Sequence, residues 1–297
     1  MSFKSSAAGV GNADAGCPIL TIMSIEEIKD LSSRIRRTII EAAHDAGNQG
    51  VHIGGALSMA DILAVLYGEF MNYDIHNPLD ESRDRLVLSK GHDCLGLYAA
   101  LAEVGFITKQ ELKDNYLQDG GFLPTHPVKC VEKGIECSSG SLGMGLGFAI
   151  GEALAMKMKK IDNHIFVIMG DGECDEGSGW EAFIAAKQYK LDNIVLFIDK
   201  NGLQSDGAVA DIMPINLAGA LRELGWHVIE ANGHNVEDLY KATRQAVSNT
   251  DAPTVIIAET VKGKGVSFME NNNAWHHGHL SEEQYEQAIK EISDGNQ

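Results

Sequence analysis

Three groups of residues could do chemistry here, and all suit anions or protons. The first is Gly170, Asp171 and Gly172, with Asn201 following Asp171 by 30 residues. An Asp carboxylate and an Asn amide oxygen are hard ligands, suited to Mg²⁺ that phosphate oxygens also hold. Gly172 lacks a Cβ, so its N–H can approach a phosphate closely. Alone, the triplet also describes a helix-capping corner. The Asn-Gly turn at residues 201 and 202 shifts the reading toward a metal–diphosphate site. The second group is SSGSLGMGLG, residues 138–147, which suits an anion or a flat ring pressed against backbone. It is no dinucleotide fingerprint, because Phe148 stands where the third Gly belongs. The third group is the histidines. There are 11, several in loops beside Gly or Pro, at His52, His92, His126 and the run His276, His277, Gly278, His279. Four such loops predict convergence on one pocket, where imidazoles move protons and hydrogen-bond sugar or phosphate oxygens. Their spacings do not match the usual zinc patterns. The run Lys262, Gly263, Lys264, Gly265 could form a phosphate-binding turn, but it lacks the full P-loop spacing and reads first as an exposed turn.

The elements that must position these residues alternate strand and helix. The stretch Ile165–Gln204 reads as strand, Gly-Asp-Gly, helix, strand and then Asn201, and apolar runs at Arg85–Ser89, Trp226–Glu230 and Thr254–Glu259 predict further strands. A capping box at Ser24 and Glu27 opens a first helix that Gly47 ends. Further helices are predicted from Ser58, over Leu95–Val104, Ala149–Met158, Ile215–Leu224 and Val236–Val247, and after a cap at Ser281. Residues 105–137 read as a long irregular segment, and loops of that length are usually functional. The alternation predicts an α/β fold with a mainly parallel sheet and helices on both faces. Asp171 and Asn201 would then emerge at carboxyl ends of strands, where ligands of such sheets bind.

The totals bound the partners. A formal charge of −18 over 297 residues excludes a nucleic-acid surface. It also means that an anionic ligand needs a metal, helix N-termini or a partner for its counter-charge. Five Cys without a CxxC pair fit free thiols in a reducing compartment, and no apolar run suggests a membrane span, so the cytoplasm is the expected location. Residues 1–23 read as a flexible tail and 24–297 as one domain.

At this point the sequence resembles a family. The Gly-Asp-Gly and Asn pattern is similar to the thiamine-diphosphate motif. HIGGALSMADIL, RLVLSKGHDCLGLYAAL, THP, GSLGMGLGFAIGEALA, GDGECDEGSGWEA, DKNGLQ and GWHVIEANGH follow the order of a transketolase. The closing VKGKGVSFMEN and AWHHG resemble the amino-terminal subunit of the small, two-gene transketolases. The resemblance implies a thiamine-diphosphate-binding fold. It implies Asp171, Asn201 and the main-chain oxygen of Leu203 as ligands of Mg²⁺, or of a similar divalent ion such as Ca²⁺ or Mn²⁺. It places Gly172 and His92 against the diphosphate, and Gly140, Ser141 and Leu142 against the cofactor rings. His52, His126 and His277 would line the sugar channel, with His276 as an unusual neighbour that makes two candidates for one position. Val51 and Thr125 stand where the family usually differs, before His52 and His126. Glu176 resembles a Glu at the subunit interface.

The activity so implied is transfer of a two-carbon ketol unit from a ketose phosphate to an aldose phosphate in the pentose phosphate pathway. The resemblance also implies a second chain. A carboxy-terminal subunit would carry the pyrimidine-binding domain, whose Glu activates the cofactor, and two copies of each would form a heterotetramer. Competing readings are a 2-oxoacid dehydrogenase subunit, a deoxyxylulose-phosphate synthase and a non-catalytic cofactor-binding regulatory subunit.

Overall fold

The computed structural model describes residues 23–295, so the tail expected over 1–23 falls almost wholly outside the described residues. Five parallel strands form the central sheet in the order β1-β2-β3-β7-β6. They are β1 (Arg85–Leu88), β2 (Ile165–Gly170), β3 (Ile194–Lys200), β6 (His227–Asn232) and β7 (Thr254–Glu259), and a small antiparallel pair, β4 (Leu203–Gln204) and β5 (Gly207–Ala208), hangs beyond β3. Before β1 come α1 (Ile25–Asp45), α2 (Gly54–Ser58) and α3 (Ala60–Val65); between β1 and β2 come α4 (Cys94–Val104), α5 (Lys109–Asn115) and α6 (Met144–Lys159). Next are α7 (Gly177–Gln188), α8 (Val209–Ile212), α9 (Leu217–Glu223), α10 (Val236–Val247) and α11 (Glu282–Asp294).

The strands are apolar almost throughout because both faces are covered. Along β2, Phe166 and Ile168 pack with α1, α3, α4 and α10, whereas Ile165, Val167 and Met169 pack with α6, α7 and α9. This two-residue alternation divides one sheet between two cores. Each fully buried Ile or Leu in them contributes about 1.5–3 kcal/mol of transfer free energy. Among the described residues the cysteines are free, and Cys94, Cys137 and Cys174 are buried as small apolar groups.

Several boundaries differ from expectation, for physical reasons. Helix begins at Gly54 rather than Ser58, because Gly54 and Gly55 sit where a Cβ would strike Lys262 and Asp93. Likewise α6 starts at Met144, and Gly145 is helical because a Cβ there would lie 2.6 Å from the Ser89 Cα. These glycines serve close packing, not turns. The segment 105–137 contains α5, opened by a capping box of Thr108 and Glu111. No helix among the described residues is long and apolar enough to cross a membrane.

Candidate active site

Four strands deliver the site from their carboxyl ends, into a cleft of about 260 Å³. Beyond β1 come Ser89, Lys90, Gly91, His92 and Asp93. Gly91 must be glycine, since a Cβ there would lie 2.8 Å from the Gly140 amide nitrogen. That contact lets the loop 138–143 press against the end of β1, where the Ser139 hydroxyl donates to the Leu88 carbonyl at 2.7 Å. Glu173 ties the same loop from below. Its carboxylate accepts from the Ser89 hydroxyl at 2.5 Å, the Gly143 amide at 2.9 Å and the Gly170 amide at 3.1 Å. Burial raises the Glu173 pKa against those three donors.

Asp171 follows β2. One carboxylate oxygen accepts from the Gly172 amide at 2.9 Å and the other from the Gly202 amide at 2.7 Å. Burial pushes its pKa up to about 6 despite both bonds. Asn201 follows β3, its side-chain oxygen accepting the Leu203 amide at 3.1 Å. A Cβ on Gly172 would lie 2.8 Å from the Gln204 Cβ, so only glycine lets the β4 strand close over the turn.

Beneath the cleft lies a buried charge cluster. The Lys90 ammonium contacts Asp199, Asp93 at 3.1 Å and the Gly55 carbonyl at 2.9 Å. Burial alone would lower the Lys90 pKa; Asp199 and Asp93 override it and hold it above the ordinary value. Asp199 also accepts hydroxyls from Ser58 and Thr260.

The histidines converge as the sequence led us to expect. His52 is central, with ring centroids 5.2 Å from His92, 6.1 Å from His126 and 5.2 Å from His276. All four line the cleft, together with Gly140, Leu142, Asp171, Gly172, Asn201 and Leu203. Ser141, between Gly140 and Leu142, is exposed and does not line the cleft. His277 does not line the cleft; its ring packs 4.7 Å from that of His52 and against Gly50. Two main-chain hydrogen bonds between Val51 and Gly278 clip these two histidine loops together. Burial pushes the His52 pKa down to about 3, and burial with the adjacent Lys262 pushes His276 down to about 4. Both are therefore neutral at pH 7, able to accept as well as donate.

Lys262 is the main correction. The sequence reading made its segment an exposed turn, but Lys262 is 2% exposed and lines the cleft. Its ammonium lies 2.8 Å from His276 Nδ1 and 3.4 Å from the Leu203 carbonyl oxygen, and no described carboxylate is within ion-pair distance. Glu173 and Asp199 escaped sequence reasoning, and Lys262 stands out in the sequence only within a turn whose phosphate-binding reading ranks second. Each is a charged residue next to Gly or a strand end, a signal too common to decide a role. Glu176 stands at the start of α7 and is exposed, away from the cleft lining.

The donor set suits a metal-bound diphosphate. Asp171, Asn201 and the Leu203 carbonyl offer only oxygen, which matches Mg²⁺. Among the described residues no three His, Cys, Asp or Glu side chains are placed to hold a metal unaided. Oxygens from an anionic ligand would complete the shell, as is usual for Mg²⁺. Gly172 supplies the close approach and Lys262 a positive charge without a carboxylate partner. The residues present therefore fit the cofactor that the sequence pattern implies.

Comparison with known proteins decides the kinship. Residues 28–293 match the family described as "Transketolase, thiamine diphosphate binding domain". The chain belongs to the transketolase family. It is 40% identical over 273 residues to one of the subunits of the apulose-4-phosphate transketolase of Phocaeicola vulgatus, covering 92% of this chain and 96% of that one. It is 41% identical over 268 residues to the "6-deoxy-6-sulfo-D-fructose transketolase subunit SqwG" of a Clostridium species, covering 90% and 96%. The solved transketolase of Leishmania mexicana superposes with a TM-score of 0.81 at 29% identity, over 92% of this chain but 42% of that one. Relative to that transketolase, the family member described here corresponds to under half the length.

Proposed function

We propose that this chain is the diphosphate-binding subunit of a two-chain transketolase, moving a two-carbon ketol unit from a ketose phosphate to an aldose phosphate. The observation that carries the reading is the meeting of Asp171, Asn201, the Leu203 carbonyl and Lys262 beside four cleft-lining histidines. When bound, thiamine diphosphate supplies the reactivity that breaks and forms carbon–carbon bonds beside a carbonyl. The protein's part is orientation, charge and proton movement.

In this reading Asp171, Asn201 and Leu203 hold Mg²⁺, or Ca²⁺ or Mn²⁺ in its place, and Gly172 and His92 receive the diphosphate. Gly140, Ser141 and Leu142 face the cofactor rings. His52 and His126 hydrogen-bond sugar hydroxyls and carry protons, as neutral imidazoles can. His276, which stands in the cleft, takes the place expected of the histidine pair, and His277 backs His52. The cofactor-binding unit spans residues 24–297, and the location proposed is cytoplasmic.

A second chain is part of the proposal. The named relatives are subunits, and the outer surface of the adjoining helices α6 and α7 exposes Met144, Met158, Ile184 and Tyr189. Large apolar side chains exposed on two adjoining helices suit a contact site, and Glu176 stands at the start of α7. We assign this surface to assembly with a carboxy-terminal subunit carrying the pyrimidine-binding domain, two copies of each forming a heterotetramer. The test is ketol transfer from xylulose 5-phosphate to ribose 5-phosphate with thiamine diphosphate and Mg²⁺. Turnover only when both chains are mixed supports the proposal; full turnover by this chain alone sinks the two-chain part.

A further inference from the structure

Three amides of the turn that carries Lys262 donate outward, and the Lys262 carbonyl accepts from the Asn271 amide at 2.9 Å. Thr260 donates to the Lys200 carbonyl at 3.0 Å and Gly263 to the Gly54 carbonyl at 2.9 Å. Between them, the Val261 amide donates to His234 Nε2 at 2.7 Å. The outer anchors are main chain to main chain. The middle one, directly before Lys262, is a side chain reaching in from the loop between β6 and α10.

The hydrogen bonds fix the state of that imidazole. Nε2 accepts from a backbone amide, so Nδ1 carries the proton and donates to Asp61, 2.8 Å away. Asp61 is in turn bound by the Ser32 hydroxyl at 2.5 Å and by the Arg36 guanidinium. The loop is itself set: the His234 amide donates to the Asn232 side chain at 2.9 Å and the Gly233 amide to the Glu259 carbonyl at 2.8 Å. Gly233 allows the approach, because a Cβ there would lie 2.3 Å from Thr260 Cγ2. None of the side chains in this relay lines the cleft.

We propose that His234, oriented by Asp61, is a positioning residue that sets where the Lys262 ammonium projects into the cleft. The geometry stands by itself; the consequence for cofactor binding rests on the function proposed above. Without the middle anchor, the Val261 amide loses its acceptor. The turn is then free to relax, and Lys262 leaves His276 and the Leu203 carbonyl. A hydrogen bond outside the cleft thus governs a charge inside it.

The test uses the full chain and two readouts. In the first, without cofactor, the rate of lysine acetylation by acetic anhydride is followed residue by residue by mass spectrometry. His234→Phe keeps a ring but offers no acceptor, and Lys262 should label about tenfold faster while Lys90 stays at its wild-type rate. His234→Gln, whose amide oxygen can replace the acceptor, should restore the wild-type rate. His234→Asn, able to reach Asp61 but too short for Val261, should behave as Phe does and decides the matter if the Phe variant does not fold. An unchanged Lys262 rate, or equal acceleration at Lys90 and Lys262, overturns the proposal.

In the second readout, thiamine diphosphate affinity is measured with Mg²⁺ and the second chain present. His234→Phe and Lys262→Met should each weaken binding, and the double variant should be no weaker than Lys262→Met. Additive losses would show that His234 does not act through Lys262 and would overturn the proposal. If the wild-type pair binds no thiamine diphosphate, the functional reading fails, and the acetylation result still decides the role of His234.

Discussion

Replacing Lys90 by Met tests the charge cluster that underlies the cleft. The side chain is 1% exposed and its ammonium is the cation shared by Asp199, 0% exposed, and Asp93, 3% exposed. Methionine preserves the stem and deletes the charge, leaving two buried carboxylates facing one another. Breaking a buried pair from one side costs about 3–5 kcal/mol. Here the loss has a ceiling, because a stranded carboxylate can take up a proton instead. Protonating one Asp of ordinary pKa costs about 4 kcal/mol at pH 7 and about 1.5 kcal/mol at pH 5. The destabilisation should therefore shrink as pH falls. Adding Asp199→Asn should recover a large part of the loss at pH 7, since the Thr260 hydroxyl can still donate to the amide oxygen while the amide nitrogen donates to the Ser58 hydroxyl, whose own proton goes to the Gly55 carbonyl. Urea unfolding of the full chain, followed by circular dichroism at both pH values, measures this. A loss below about 1 kcal/mol at pH 7, or one that does not depend on pH, would refute the reasoning, because surface pairs behave that way.

Other perturbations reach the cleft itself. His52 and His276 have pKa values pushed down to about 3 and about 4, whereas an unfolded chain's imidazoles gain protons below about pH 6.5. Their contribution to stability should thus be lost as pH falls from about 6.5 toward 4, and their C2 protons should not titrate by NMR between about pH 5 and 8; a midpoint above about 6 for either would contradict this. Gly50→Ala places a Cβ 2.6 Å from His277 Cε1 at a φ of +72°, so it should displace His277 and the His52 it backs. Ketol transfer should then fall more than cofactor affinity, and equal losses in kcat/KM and in the cofactor Kd would count against the assignment. Ile184→Asp, at a site 56% exposed on α7, should leave the stability of the chain within about 0.5 kcal/mol yet weaken assembly with the second chain. Sedimentation showing undiminished assembly would exclude this surface of α6 and α7 as the contact.

Much of the fold was legible because the signals are local. The β7 strand and α10 match their expected bounds, the first from an uninterrupted apolar run and the second from a strong apolar stripe. The capping box at Ser24 and Glu27 likewise fixed the start of α1. Glycine misled where its role is tertiary. Gly54 and Gly145 weaken a helix by propensity, yet each is required by a neighbour that only the folded chain brings near. The Thr108 and Glu111 box could have revealed α5, but it lay inside a segment read as loop. In the site, motif residues with fixed spacing could be found, and the convergence of four histidine loops could be foreseen. Buried charges could not. Lys262, Glu173 and Asp199 draw their meaning from partners 14 to 141 positions away. Choosing His276 over His277 for the cleft likewise needed the clip between Val51 and Gly278.

Everything proposed for the cleft depends on Asp171, Asn201 and the Leu203 carbonyl holding a divalent ion against a diphosphate. Titration calorimetry of thiamine diphosphate into the assembled pair of chains, with Mg²⁺ and then with excess chelator, measures this directly. The expected result is saturable binding with Mg²⁺, lost with chelator and lost in Asp171→Ala while the variant remains folded. Binding that is indifferent to the metal, or unchanged by Asp171→Ala, would contradict it.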